Sequence, residues 1–113
     1  MKIINKTKNT VLAEDAVIAD KLGTRIKGLL GRKVFLAKEG LVITPCNSIH
    51  TFFMHFAIDV LFVNKANMIV KTISSLSPGR LTSIYFNAAF VIELPTGAIQ
   101  STSTSQGDFI SIE

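Results

Sequence analysis

The sequence predicts a mainly β fold: a small single-domain β-sandwich or barrel over residues 1–113, with one short helix near residues 20–31. Three observations carry this expectation. After Gly40 the apolar residues fall in short runs, each stopped by Pro, Gly or Asn, which is strand punctuation. Helical spacing is sustained in one place, where Leu22, Ile26, Leu29 and Leu30 recur on one stripe. The chain has 113 residues, 48% of them hydrophobic and 18% charged, enough for one core and too apolar for a disordered chain.

The elements follow in order. Lys2–Asn5 and Val11–Ala13 flank the polar turn Thr7-Lys8-Asn9-Thr10 and read as a hairpin. Ala16–Ala19 lead to Asp20, a competent helix N-cap, and Gly31 sits where a helix-ending glycine belongs, with Arg32 and Lys33 at the negative end. Gly23 and Gly28 each cost that helix about 1 kcal/mol relative to alanine, so packing on a sheet must hold it. Leu41–Thr44 is a strand stopped by Pro45. Val60–Val63 and Met68–Ile73 form a hairpin around Asn64-Lys65-Ala66-Asn67, whose asparagines tolerate left-handed backbone. Ser77–Arg80 is a turn, Ala89–Leu94 a strand ended by Pro95, Ser101–Ser105 a polar loop, and Asp108–Ile112 the closing strand.

Composition narrows the function classes. A single cysteine, Cys46, excludes an internal disulfide and a four-cysteine zinc site and suits a reducing compartment. No apolar segment follows the basic start, so no secretion signal is expected, and the apolar stretch Phe52–Val63 falls short of the roughly 20 residues that span a bilayer. The expectation is a cytoplasmic protein without a membrane span. Residues 1–38 carry nine basic groups and three acids, a net of +6, whereas residues 39–113 carry three and five, a net of −2. That asymmetry leaves nucleic-acid binding through the basic first third open, beside the reading that lysines keep strand edges soluble.

Chemistry concentrates in Pro45–Asp59, which holds the cysteine, both histidines and Met54. Cys46, His50 and Met54 are spaced four apart, and only a turn could gather them, because in a strand each such step covers about 13 Å. A copper site would need a second histidine from upstream, and none precedes His50, so no metal and no cofactor are expected. Cys46, His50 and Asp59 supply the residue types of a thiol hydrolase, without an evident helix N-terminus to activate the thiol. Asp59 and Glu93 are anomalous in another way. Each lies within a strand-like apolar run, where a carboxylate must face solvent or find partners, and His50, Thr51, Arg32 and Arg80 are the available ones.

The same residues carry a family resemblance. Gly28-Leu29-Leu30-Gly31-Arg32, the run Gly40–Met54, Ile58–Val63, Glu93–Gly97 and Gly107-Asp108, in that order, resemble the bacterial and archaeal family known as domain of unknown function 192. The likeness extends from about Ala19 to the end, with Ala57 where the family often has proline and Asn64 where it often has aspartate. It implies a compact, mainly β sandwich and no established activity. Many members carry an N-terminal secretion signal or anchor, which is not evident here. The motif positions carried over are Arg32, Cys46, His50, Met54, Asp59, Glu93 and Gly97. The leading expectation is therefore a binding module with a cleft for a small ligand or protein partner, lined by the 45–59 loop with Arg32 and Glu93 nearby. A thiol-dependent hydrolase using Cys46 and His50, and nucleic-acid binding, are the alternatives.

Overall fold

Strand punctuation translates into eight strands in the computed structural model, which describes residues 1–21, 29 and 32–113. They are β1 (Ile3–Asn5), β2 (Thr10–Ala13), β3 (Asp15–Ala19), β4 (Glu39–Ile43), β5 (Ile58–Val63), β6 (Ile69–Leu76), β7 (Phe90–Pro95) and β8 (Ile110–Ile112). A one-turn helix, α1 (Ala98–Ser101), follows β7. The strands form two sheets, one of five in the order β3-β4-β7-β5-β6 and one of three in the order β2-β1-β8. The fold is thus mainly β, with two sheets packed face to face as in a sandwich.

Two apolar clusters explain the arrangement. Val42, Leu61, Val63, Ile92 and Leu94 on one face of the larger sheet meet Ile3, Leu12, Ile99 and Ile110 from the smaller sheet and α1. Leu41, Ile43, Val60, Phe62 and Val91 on the other face are covered by Ile49, Met54 and Leu29, with Phe35, Phe56 and Tyr85 at the margin. Because both faces are covered, every residue of β5 is buried, which is why that strand reads as a continuous apolar run rather than an alternating one. Burying each large side chain there contributes about 1.5–3 kcal/mol. The sheets approach closely at Gly40, where a Cβ would stand 3.1 Å from that of Ala13. Alanine at this position would require Ala13 to give way by a few tenths of an ångström.

Three expectations are corrected. Residues 15–19 do not merely lead into a helix; they form β3, which pairs in parallel with β4 from Asp15↔Glu39 to Ala19↔Ile43. A parallel partner far along the chain leaves no local turn signal. Pro95 does not stop β7 from outside but is its last residue, opposite Ile58. The polar stretch expected at Ser101–Ser105 begins as the end of α1. The helix expected near residues 20–31 lies outside the described residues. No helix among the described residues is long and apolar enough to cross a membrane.

Candidate functional site

Register decides where the two anomalous carboxylates point. Asp59 lies opposite Leu94, and Glu93 lies opposite Leu41 on one side and Val60 on the other. Paired residues share a face and neighbours along a strand alternate, so Asp59 faces the smaller sheet and Glu93 faces away from it. Both are buried, at 1% and 4% exposure.

Asp59 is fully engaged. Its Oδ1 accepts from the Ser75 N–H at 2.8 Å, and its Oδ2 from the N–H groups of Gly97 at 3.1 Å and Ile99 at 2.9 Å. One carboxylate thereby fixes two places where the backbone turns left-handed. Ser75 has φ 52° within β6, and Gly97 has φ 94° just before α1, a conformation that glycine adopts without steric cost. Three amide donors offset the desolvation of the buried charge. The partners considered from sequence, His50, Thr51, Arg32 and Arg80, are replaced by main-chain groups, which composition does not reveal.

Glu93 is the opposite case. Among the described residues none donates a hydrogen bond to its carboxyl, and its cross-strand neighbours are aliphatic. Burial pushes its pKa up to about 8, so the group holds its proton at neutral pH. A neutral carboxylic acid in an apolar wall can donate a hydrogen bond that no carboxylate could.

The segment between β4 and β5 covers the Glu93 face. It leaves β4 through a cis Thr44–Pro45 peptide and is tied down chiefly by Thr51, which the sequence reading named as a partner for a buried carboxylate rather than as an anchor of this segment. The buried Thr51 hydroxyl donates to the Ser77 carbonyl at 2.6 Å and accepts from the Arg80 N–H at 2.9 Å. Ile49 and Met54 point inward, and Cys46 is half-buried at the edge of the same cluster, its thiol donating to the Ser48 carbonyl at 3.1 Å. His50 turns outward. Its Nδ1 accepts from the Phe52 N–H at 3.3 Å, and its ring stacks on that of Phe52 at 5.0 Å.

Cys46, His50 and Asp59 are therefore not brought together: the thiol is tucked against its own loop, the imidazole faces solvent, and the carboxylate is on the other face of the sheet. The thiol-hydrolase geometry considered from sequence is not formed. Among the described residues no group of three His, Cys, Asp or Glu side chains could hold a metal ion. The basic first third is partly spoken for. Lys8 pairs with Asp108 at 2.8 Å, Lys38 donates to the Val11 carbonyl, and Arg32 pairs with Glu39 at 2.9 Å.

A cleft of about 400 Å³ opens where the 45–57 segment meets the end of β7. Phe35, Phe56, Ala57, Pro95 and Thr96 line it, with Lys33 at the rim. The Phe35 and Phe56 rings stand 5.8 Å apart, and the Arg32 guanidinium lies 5.6 Å from the Phe35 ring while gripping Glu39 with bonds of 2.9 and 3.1 Å. That grip and the Leu36 N–H hold the Glu39 carboxyl below its usual value. Pro95 shares the face of Glu93 one pleat along β7; Pro95 lines the cleft and Glu93 itself does not. Beyond the Pro95–Thr96 ridge a second groove, of about 230 Å³, runs past Lys38, Gly97 and Ser101. Phe35 and Thr96 were not marked as candidates in the sequence, because one aromatic in a charged stretch and one threonine after a proline carry no local signal.

Comparison with known proteins agrees with this architecture. The family model of domain of unknown function 192, described as "Uncharacterized ACR", matches residues 3–112. A UPF0127 protein of Pyrococcus horikoshii is 34% identical over 113 residues, covering 96% of each chain. A UPF0127 protein of Pyrococcus furiosus is 32% identical over 109 residues, covering 94% of this chain and 93% of the other. A Novosphingobium aromaticivorans protein of unknown function superposes with a TM-score of 0.85 at 15% identity, over 99% of this chain and 84% of that one. A Sinorhizobium meliloti protein, described as a candidate transcription regulator, superposes with a TM-score of 0.83 at 17% identity, over 97% and 89%. At these identities the two solved structures share the fold.

Proposed function

Since the chain belongs to the family of domain of unknown function 192, described as uncharacterised, we propose from its geometry that it is a small β-sandwich binding module. Its ligand cleft lies between the 45–59 loop, residues 32–37 and the end of β7. The observation that carries this reading is Glu93: a residue only 4% exposed, to whose carboxyl no described residue donates, two residues along β7 from Pro95 in the wall of an open, aromatic-walled cleft. A carboxyl without a donor adds no hydrogen bond to the fold, whereas a bound acceptor would give its proton a partner. Phe35 and Phe56 suit a ligand with an apolar body, and Lys33 at the rim suits an anionic or strongly polar end. The lone thiol, Cys46, supports a reducing, cytoplasmic setting.

Thermal-shift measurements on the full chain with small organic anions of graded apolar size test this, using wild type, Glu93→Gln and Phe56→Ala. A ligand at 100 times its Kd stabilises by about 2.7 kcal/mol. At this size that raises Tm by roughly 10 °C. The expected result is a shift in wild type that both variants lose. Equal shifts in all three proteins would place the ligand elsewhere and overturn the assignment of the cleft.

A further inference from the structure

Five large apolar side chains stand in water on one ribbon of chain. The stretch 47–53 runs beside 79–86, joined by the His50↔Leu81 bridge and by bonds from Thr51 N–H to the Arg80 carbonyl, Thr82 N–H to the Ile49 carbonyl and Tyr85 N–H to the Asn47 carbonyl, all 2.8–3.0 Å. On this ribbon Phe53 is 87% exposed, Phe86 86% and Leu81 69%, with Phe52 and Ile84 also exposed. Phe53 further holds φ at 65°, a left-handed conformation that costs a bulky residue on the order of 1–3 kcal/mol.

Charge on the ribbon has one sign. Between residues 44 and 90 the sole carboxylate is Asp59, which is buried on the far face, while Arg80 lies on the ribbon. Lys65 joins Phe86 and Asn87 around an open groove of about 420 Å³. A second copy of this chain would set these cations against their equals, which disfavours self-association. An anionic bilayer surface offers the complement: phosphates for Arg80 and Lys65, and an apolar boundary for Phe53, Leu81 and Phe86. We infer that the ribbon 47–53/79–86 is a peripheral membrane-docking surface that inserts its aromatic tips at the headgroup level of anionic lipid.

Cosedimentation of the full chain with vesicles tests it, comparing phosphatidylcholine alone with equimolar phosphatidylcholine and phosphatidylglycerol. Wild type should bind the anionic vesicles, bind the neutral ones more weakly, and release as salt rises. The double variant Phe53→Ser/Phe86→Ser should lower partitioning by about tenfold or more while leaving Tm unchanged or raised, because it removes exposed rings. Arg80→Glu should weaken binding to anionic vesicles alone. Wild type remaining in the supernatant with anionic vesicles would overturn the inference, as would undiminished binding by the double variant. So would a stable dimer that Phe86→Ser converts to monomer.

Discussion

The two faces of the five-stranded sheet bury one acid each and treat it in opposite ways. Toward the smaller sheet, Asp59 accepts three main-chain N–H groups and joins β5 to β6 and α1. Toward the 45–57 segment, Glu93 sits between Leu41 and Val60 with no donor among the described residues. The residue type and the burial are nearly the same, so the difference lies in what the backbone brings near. A carboxylate that completes a hydrogen-bond set is part of the fold. One that completes nothing is costly to keep, and its retention beside a cleft is what a ligand would explain.

The largest effect that tests this contrast is loss of the Asp59 clamp. Asp59→Ala should destabilise by about 3 kcal/mol or more, since three buried amides lose their acceptor. In urea melts its midpoint should fall far below that of Glu93→Ala. Similar losses at the two positions would erase the distinction.

Glu93 should instead reveal itself through pH. Its unfolded value is 4.5 and its folded value about 8, so between those limits the native state keeps a proton that the unfolded state has released. Stability must then fall as pH rises from about 5 to 8. Glu93→Gln should flatten that slope, read as the urea midpoint at pH 5 and pH 8. A slope that survives the substitution would assign it to another group.

Asp108 supplies the reverse sign. Burial pushes its carboxyl up, but bonds from Asn5, Lys8 and the Ser105 N–H outweigh that and hold it below 3.8. Its contribution is present above that value and is lost as pH falls through the folded pKa. Asp108→Asn should cost about 1–2 kcal/mol at pH 7 and converge with wild type in acid. The smallest effect belongs to Arg32→Ala, because its pair with Glu39 is partly exposed and worth less than about 1 kcal/mol. A Tm close to wild type combined with a weakened ligand shift would mark Arg32 as serving the cleft rather than the fold.

Much of this was legible in the chain. The hairpin around Asn64–Asn67 has a local cause, and Asp59 and Glu93 stand out as acids among aliphatics. Their opposite orientations were not legible, because they depend on the β5–β7 register, set by strands 31 residues apart at Leu61↔Ile92. The Cys46–His50–Met54 spacing misled for a related reason. The segment turns at Phe53, so Met54 goes inward while His50 goes out. The parallel β3–β4 pair, the anchoring by Thr51 and the wall residue Phe35 are all contacts between distant parts of the chain, invisible to patterns of a few residues.

One pairing has a consequence for how the molecule is made. β1 is the central strand of the smaller sheet and pairs with β8 from Ile3↔Ile112 to Asn5↔Ile110, with Lys2 and Glu113 exchanging main-chain bonds of 2.9 and 2.8 Å. β1 therefore leaves the ribosome well before β8 and waits for it before its sheet is complete. Until residues 110–112 emerge, one edge of β1 has no partner, and closing the long loop between β1 and β8 is a slow, non-local step. Nascent chains that stop short of β8 should expose that edge and be the ones that aggregate.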